Sequence, residues 1–314
     1  MRTDILFLRC IMLTYSYIAG LFDAEGSINI YEKKKKSTGV SCFYLNCSIT
    51  NTNLEVIERS KEVIGGYISR YTPLNKKHKV VYKNRLSCKK AFFFLKNIEN
   101  FVIIKKEQVA LAIEFQNITN NKSNHKLKKN EYDKKQEIKI KISKINKKHG
   151  YQKNILSLKN MIQEEQKSYI AGLFDGDGCI TIRKYFPKKM KSPSYCAHIS
   201  LINCNKSILL FLKKQFGGCV TLLSRNKNPL WNNCYQLQIS SDKGINFIKF
   251  FYNFLVIKQE QASLIIEFQK EIRSIGRKYG VKGLPVNVLL SREKYKKQLS
   301  LLKRNDNKVC LINN

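Results

Sequence analysis

The sequence predicts an α+β protein made of two homologous halves, each opening with a helix that runs straight into a β-strand. Three observations predict it. The octapeptide Ser-Tyr-Ile-Ala-Gly-Leu-Phe-Asp occurs at Ser16–Asp23 and again at Ser168–Asp175. Each copy continues through a small residue, an acid and a glycine, Ala24-Glu25-Gly26 and Gly176-Asp177-Gly178, into a β-branched stretch. The match then extends well beyond the motif. Ser48–Asn53 answers Ser200–Asn205, and Gly65-Gly66 answers Gly217-Gly218, at an offset of 152 residues. After one residue of slippage Tyr82, Ser87, Lys105-x-Glu107-Gln108 and Ile113–Gln116 answer Tyr235, Ser240, Lys258-x-Glu260-Gln261 and Ile266–Gln269 at an offset of 153. A repeat this long is a duplicated domain rather than a solenoid period. The organisation that follows is an N-terminal extension over 1–14, a first repeat over 15–120, and the end of that repeat with a basic linker over 121–166. A second repeat covers 167–275 and a basic helical segment covers 276–314.

Within each repeat the first element is a helix, apolar almost to its end. Gly20 and Ala24 in one copy and Gly172 and Gly176 in the other are four apart. Positions i and i+4 share a helix face, so these small residues would let two helix backbones approach closely. The two copies are therefore expected to pack on each other. Gly26 and Gly178 stand where a helix commonly ends in a left-handed residue, and that conformation is expected of them. Ser27–Tyr31 and Cys179–Arg183 follow with the period of two that marks a strand. Asn120–Lys167 is lysine-rich, with few apolar residues before Ile138-x-Ile140-x-Ile142. Leu289–Lys303 reads as a helix, its Tyr295-Lys-Lys-Gln echoing Tyr132-Asp-Lys-Lys-Gln of the first half.

A carboxylate at the end of each repeated helix has a chemical use. Helix C-termini carry partial negative charge, so Glu25 and Asp177 make concentrated anionic positions in an otherwise basic chain. Hard divalent cations take oxygen ligands, and Mg²⁺ prefers one or two carboxylates completed by water and phosphate oxygens. A lone acid before a glycine is usually just solvated. Duplication at matched positions favours a metal site, because crowded acids need a compensating cation. Asp23 and Asp175 are read as structural, hydrogen-bonding at the helix end.

Ile18–Gly26 and Ile170–Gly178 resemble the nine-residue LAGLIDADG signature, and the chain from Tyr15 to Gln269 resembles a two-motif LAGLIDADG homing endonuclease. The resemblance implies two pseudo-symmetric α-β-β-α-β-β-α halves forming a DNA-binding β-saddle under paired motif helices. It implies that Glu25 and Asp177 bind catalytic Mg²⁺ or Mn²⁺. It also implies that Lys105 and Lys258 lie near the attacking water, and that Asn51 and Asn203 are amides positioning that water. The partner it implies is double-stranded DNA carrying a long asymmetric target site, bound by a monomer.

Composition agrees with a polyanionic partner. Fifty-eight Lys and Arg stand against twenty-three acids, a formal charge of +35, which suits binding driven by counterion release. Lysine, asparagine and isoleucine richness also reflects AT-rich coding, which suggests a plastid or mitochondrial genome. If Ile28, Ile30, Ile180 and Ile182 face the core, parity turns Asn29, Tyr31, Lys33, Thr181, Arg183 and Tyr185 to the DNA. Lys83 and Arg85, with their repeat partners Gln236 and Gln238, fall on one face and carry side chains that can contact purine edges.

The remaining features exclude other classes. Ten cysteines show no C-x-x-C pair or finger-like spacing, which indicates free thiols in a reducing compartment. The four histidines, His78, His125, His149 and His198, are scattered, and His198 alone lies in a repeated strand. Ile5–Phe22 would pass as a short membrane span, but its second half recurs internally before an acid, so residues 1–14 are read as an extension and no membrane is expected. The reading that results is a site-specific, intron-encoded double-strand DNA endonuclease of an organelle, hydrolysing phosphodiester bonds and mediating intron mobility. An intron RNA maturase on the same fold is the alternative, with intron RNA as the partner.

Overall fold

The computed structural model describes residues 13–34, 36, 41–75, 79–118, 127–148, 156–188, 190–223, 233–275 and 283–305. His78, His125 and His149 and nearly all of the 1–14 extension lie outside the described residues. The chain divides into two compact units, Met1–Gln152 with Leu156–Gly172, and Leu173–Asn314 with Lys153–Ile155.

The first unit opens with α1 (Tyr15–Glu25). Thr14 caps it, its hydroxyl accepting from the Tyr17 amide at 3.1 Å, one of the four amides a helix start leaves unpaired. Every residue from Ser16 to Asp23 is buried, so the helix is enclosed by protein on all sides, which its all-round apolar sequence requires. Gly26 begins strand β1 (Gly26–Lys34) directly. Contrary to expectation, its backbone is extended, with φ −79° and ψ 153°. Glycine stands there for space: a Cβ would lie 2.6 Å from Cε2 of the Phe22 ring. Gly178 meets Phe174 in the same way, its Cβ position 2.5 Å from the ring carbon Cγ. The left-handed glycines are elsewhere in the repeat, at Gly65-Gly66 (φ 71° and 108°) and Gly217-Gly218 (φ 78° and 90°), where they end helices.

After β2 (Ser41–Asn51) come α2 (Leu54–Ile64), β3 (Tyr67–Tyr71), β4 (Val81–Ser87), α3 (Cys88–Ile98) and α4 (Lys106–Asn117). The four strands form one antiparallel sheet in the order β1-β2-β4-β3. One face carries Ile28, Leu45, Cys47, Ile49 and Leu86, all buried against the helices. Phe22 meets Phe94 of α3 edge to face with centroids 5.1 Å apart, a favoured aromatic geometry.

α5 (Lys129–Lys148) follows, so the stretch read as the end of the first half and a basic linker is largely helical. Its Ile138 and Ile142 are buried while Ile140 is exposed; the apparent alternation is half of an i, i+4 stripe. The helix is held to β1 through Glu32, whose carboxylate accepts from the Tyr132 hydroxyl (3.0 Å), Gln136 Nε2 (2.7 Å) and Lys139 Nζ (3.2 Å). α6 (Leu156–Asn160) leads to α7 (Gln163–Asp177), which carries the second motif and whose residues through Gly172 belong to the first unit. Gly172 sits against α1: a Cβ there would fall 2.9 Å from the Leu21 amide nitrogen and against the Tyr17 carbonyl. The close approach expected of the motif helices is realised at this glycine.

The second unit repeats the plan. Its strands are β5 (Gly178–Tyr185), β6 (Ser194–Asn203), β7 (Cys219–Leu223) and β8 (Cys234–Ser240), in the order β5-β6-β8-β7 and all antiparallel. Its helices are α8 (Lys206–Phe216), α9 (Ser241–Phe251), α10 (Gln259–Ile275) and α11 (Val286–Asn305), with one short 3₁₀ turn at Tyr252–Phe254. The molecule is thus α+β with two pseudo-symmetric halves. Even irregularities recur: Cys88 (φ 50°) and Ser241 (φ 53°) are matched non-glycine residues in the left-handed region at the start of α3 and α9, a conformation that costs about 1–2 kcal/mol. Phe174 packs on Phe251 and Phe247 at 5.3 and 5.9 Å. Among the described residues no helix is long and apolar enough to cross a membrane.

Gly172→Ala should destabilise the protein by about 1–3 kcal/mol, because neither a helix carbonyl nor an amide can retreat from the added carbon; a melting curve matching the parent's would rule out the close approach. Ser41 first, then Lys139, Tyr132 and Gln136, hold the Glu32 carboxyl down at about 2. The stability it contributes is present above the ordinary carboxyl range and is lost as pH falls from about 4.5 to about 2. Glu32→Gln should flatten that part of the acid-unfolding profile, and an unaltered profile would show that the cluster contributes nothing.

Candidate active site and nucleic-acid interface

The end of each motif helix is built around a buried aspartate. Asp23 accepts the backbone amides of Ile103 (2.8 Å), Ile104 (2.9 Å) and Lys105 (2.9 Å), together with the Tyr169 hydroxyl (2.7 Å). Burial pushes its carboxyl up, while the Lys105 ammonium, the two isoleucine amides and Tyr169 pull it down. Asp175 accepts the amides of Val256 (2.8 Å), Ile257 (3.1 Å) and Lys258 (3.0 Å). In both halves the acid therefore clamps the turn that precedes α4 or α10, as its structural reading required.

The clamp places the lysine that follows it. Lys105 Nζ donates to the carbonyl of Phe22 at 2.8 Å and to that of Asp23, and Lys258 Nζ donates to the carbonyl of Asp175. Each ammonium thus sits on the last carbonyls of a motif helix, two residues before the metal-candidate acid. It offsets the negative helix end. Lys105 is buried, a burden that the helix-end carbonyls offset through charge-assisted hydrogen bonds.

Glu25 and Asp177 are each half-buried at their helix ends. Asn203 donates from Nδ2 to Asp177 Oδ2 at 2.9 Å, while its Oδ1 accepts the Asn205 amide at 2.8 Å. The amide acceptor is occupied, so the donor side must face the acid. Asn51 is oriented by the same turn, its Oδ1 accepting the Asn53 amide at 2.9 Å. The two asparagines expected to position water are thus placed by their turns, and Asn203 is directed at the carboxylate itself. No three His, Cys, Asp or Glu side chains cluster among the described residues. A carboxylate at a helix end suits a Mg²⁺-type ion, which takes one or two carboxylates and fills the rest of its shell with water and phosphate.

The outer face of each sheet carries the residues expected at DNA. On β1, Asn29, Tyr31 and Lys33 are exposed while Ile28 is buried. Lys83 and Arg85 on β4 share this face, alternating with buried Asn84 and Leu86. Burial and then the Arg85 charge push the Lys83 ammonium below its usual range. On β5, Arg183 and Tyr185 are exposed and Thr181 half-buried, and on β8 Gln236 and Gln238 alternate with buried Leu237 and Ile239.

Register adds residues that the sequence reading left out. Tyr31 pairs with Tyr44 and Asn29 with Asn46, while Tyr67 and Ser69 pair with Arg85 and Lys83. Tyr31 and Tyr44 stack with centroids 5.6 Å apart, and Lys33 Nζ lies 5.7 Å from the Tyr31 ring. In the second sheet His198 belongs to the same outer face, its Nδ1 3.0 Å from Ser240 Oγ. Burial and then the Arg183 charge hold its imidazole down at about 4. The alternation of Leu45, Cys47 and Ile49 in β2 would have revealed Tyr44 and Asn46. Tyr169 carried no such signal, because its partner Asp23 is 146 residues away.

The family model described as LAGLIDADG endonuclease matches residues 18–99 and 170–272. Solved structures share the architecture at low identity. The homing endonuclease I-SmaMI, bound to an uncleaved DNA target in the presence of calcium ions, is 17% identical with a TM-score of 0.68, over 92% of this chain and 99% of that one. I-LtrWI bound to its target DNA is 17% identical at a TM-score of 0.67, covering 90% of this chain and 96% of that one. I-GzeII in complex with a DNA target is 19% identical at 0.63, covering 91% and 97%. No curated protein matches the chain in sequence.

Tyr169→Phe should cost about 1–3 kcal/mol by depriving a buried carboxylate of a donor. Urea unfolding of the variant at the parent's midpoint would show that the hydroxyl contributes nothing.

Proposed function

The chain belongs to the LAGLIDADG endonuclease family, and from that membership we propose that it is a site-specific double-strand DNA endonuclease of the homing type. It is an intron-encoded monomer of a chloroplast or mitochondrion that promotes the mobility of its intron. The observation that carries this reading is the pair of intact acids, Glu25 and Asp177, each at the end of a motif helix whose preceding aspartate and lysine are locked in place. A pure binding module would have no use for them.

Glu25 and Asp177 would hold Mg²⁺ or Mn²⁺. Such ions stabilise charge on a phosphoryl oxygen and lower the pKa of bound water. The chain's own residues do the rest. Asn203 fixes the rotamer of Asp177, and a ligand fixed in advance loses less entropy on binding. Lys105 and Lys258 keep a cation where phosphate charge accumulates, a preorganised electrostatic contribution. Asn29, Tyr31, Lys33, Lys83 and Arg85 on one sheet, with Thr181, Arg183, Tyr185, Gln236 and Gln238 on the other, grip the duplex. The net charge of +35 supplies the counterion-release part of that affinity.

Glu25→Gln and Asp177→Asn should each lower double-strand cleavage by more than about a hundredfold, since even outer-shell partners of a catalytic metal contribute tenfold to a hundredfold. Duplex binding in Ca²⁺ should persist in both variants. Cutting at the parental rate would remove the acids from the mechanism, and tighter binding of structured intron RNA than of any duplex would favour a maturase.

A further inference from the structure

The outer face of the second sheet carries a hydrogen-bonded chain of three side chains whose polarity admits only one arrangement. Arg183 Nη2 of β5 donates to Gln238 Oε1 of β8 at 3.3 Å, and Gln238 Nε2 donates to Gln236 Oε1 at 2.7 Å. β6 lies between β5 and β8, so the guanidinium crosses a whole strand to reach Gln238. The strand it crosses presents His198 and Ser200, which pair with Thr181 and Gln238 respectively. His198 is 3% exposed, held to Ser240 on one nitrogen, and its Nε2 has no hydrogen-bond partner. It is an uncharged floor beneath the arginine.

A guanidinium has five N–H donors and no acceptor. The Gln238 atom facing it must therefore be the oxygen, which turns the Gln238 amide nitrogen toward Gln236. The Gln236 atom facing that nitrogen must again be the oxygen, which turns its own NH₂ outward. Each amide oxygen is turned inward to accept an N–H within the chain. What the three side chains turn outward is therefore their donors: the remaining guanidinium N–H groups, the second N–H of Gln238 and the NH₂ of Gln236.

On this basis we infer that Arg183, Gln238 and Gln236 act as one donor array that reads guanine in the major groove. The inference rests on the endonuclease reading and adds to it the base that this part of the interface selects. A free glutamine reads adenine, pairing its oxygen with N6 and its nitrogen with N7; guanine instead presents two adjacent acceptors, N7 and O6. An array with its oxygens turned inward and its N–H groups outward matches the second edge and leaves adenine N6 facing a donor. The corresponding residues of the first sheet, Lys83 and Arg85, are donors by chemistry; here two amides present their donors because their neighbours orient them.

Selection from a randomised duplex library, with protein and Ca²⁺, tests this at single-base resolution. The parent should favour guanine over adenine by on the order of tenfold to a hundredfold at the position whose preference moves in both variants below. Gln236→Glu keeps the acceptor for Gln238 and replaces the outward donor by an acceptor, so the preference there should move from guanine to cytosine, whose N4 is a donor. Arg183→Ala releases Gln238 Oε1, so discrimination between guanine and adenine should fall about tenfold at the same position. Adenine preference in the parent, or an unchanged profile in Gln236→Glu, would overturn the array while leaving the endonuclease reading intact. Failure of the parent to bind any duplex would overturn both.

Discussion

A buried carboxylate accepting three consecutive backbone amides is the constraint on which each half depends. Hydrogen bonds to a charged acceptor contribute about 1.5–3 kcal/mol each, and an unpaired buried charge would cost several times that. Asp23 and Asp175 therefore cannot leave the turns before α4 and α10 without a large penalty. Holding those turns brings Lys105 and Lys258 onto the final carbonyls of the motif helices. The ammonium offsets the negative helix end and makes room for one more acid, Glu25 or Asp177, at the same place. The clamping carboxylate and the proposed metal ligand are thus two residues apart in sequence. One is saturated with donors from its own chain, and the other stands half-buried at the end of its helix.

The same scaffold is filled differently in the two halves. The first sheet's long flanking helix is fastened by an acid on the strand, Glu32, to Lys139 on the helix. In the second, the signs are exchanged: Lys184 and Tyr195 on the strands meet Glu293 on α11. The outer faces differ as well, with Lys83 and Arg85 on one and Gln236 and Gln238 on the other. Backbone geometry recurs even in its strained positions, Cys88 and Ser241, whereas side chains on exposed faces have diverged. A duplicated frame can carry unlike faces because register fixes where each side chain points while leaving its identity free.

Much of the fold was legible because its signals are local. The motif helix, the strand after it and the second copy of each appear as apolar runs, alternation and repetition, which depend on neighbours a few residues away. Alternation likewise showed which residues of β1 and β5 face outward. One local signal misled. Gly26 and Gly178 stood where a left-handed cap is common, but the collision that excludes a side chain comes from Phe22 and Phe174 one turn back on the same helix. A letter pattern carries the need for glycine without the reason.

The sequence by itself determined the duplication, the α+β class, the positions of Glu25 and Asp177 at helix ends and the basic character of the surface, because each follows from spacing and charge along the chain. Only the tertiary structure decided what Asp23 holds, that Tyr169 completes its shell, that Asn203 is aimed at Asp177, and that Arg183 orients two glutamine amides. Those four depend on atoms brought together from strands and turns far apart in sequence, and hydrogen-bond polarity exists only once donor and acceptor have met.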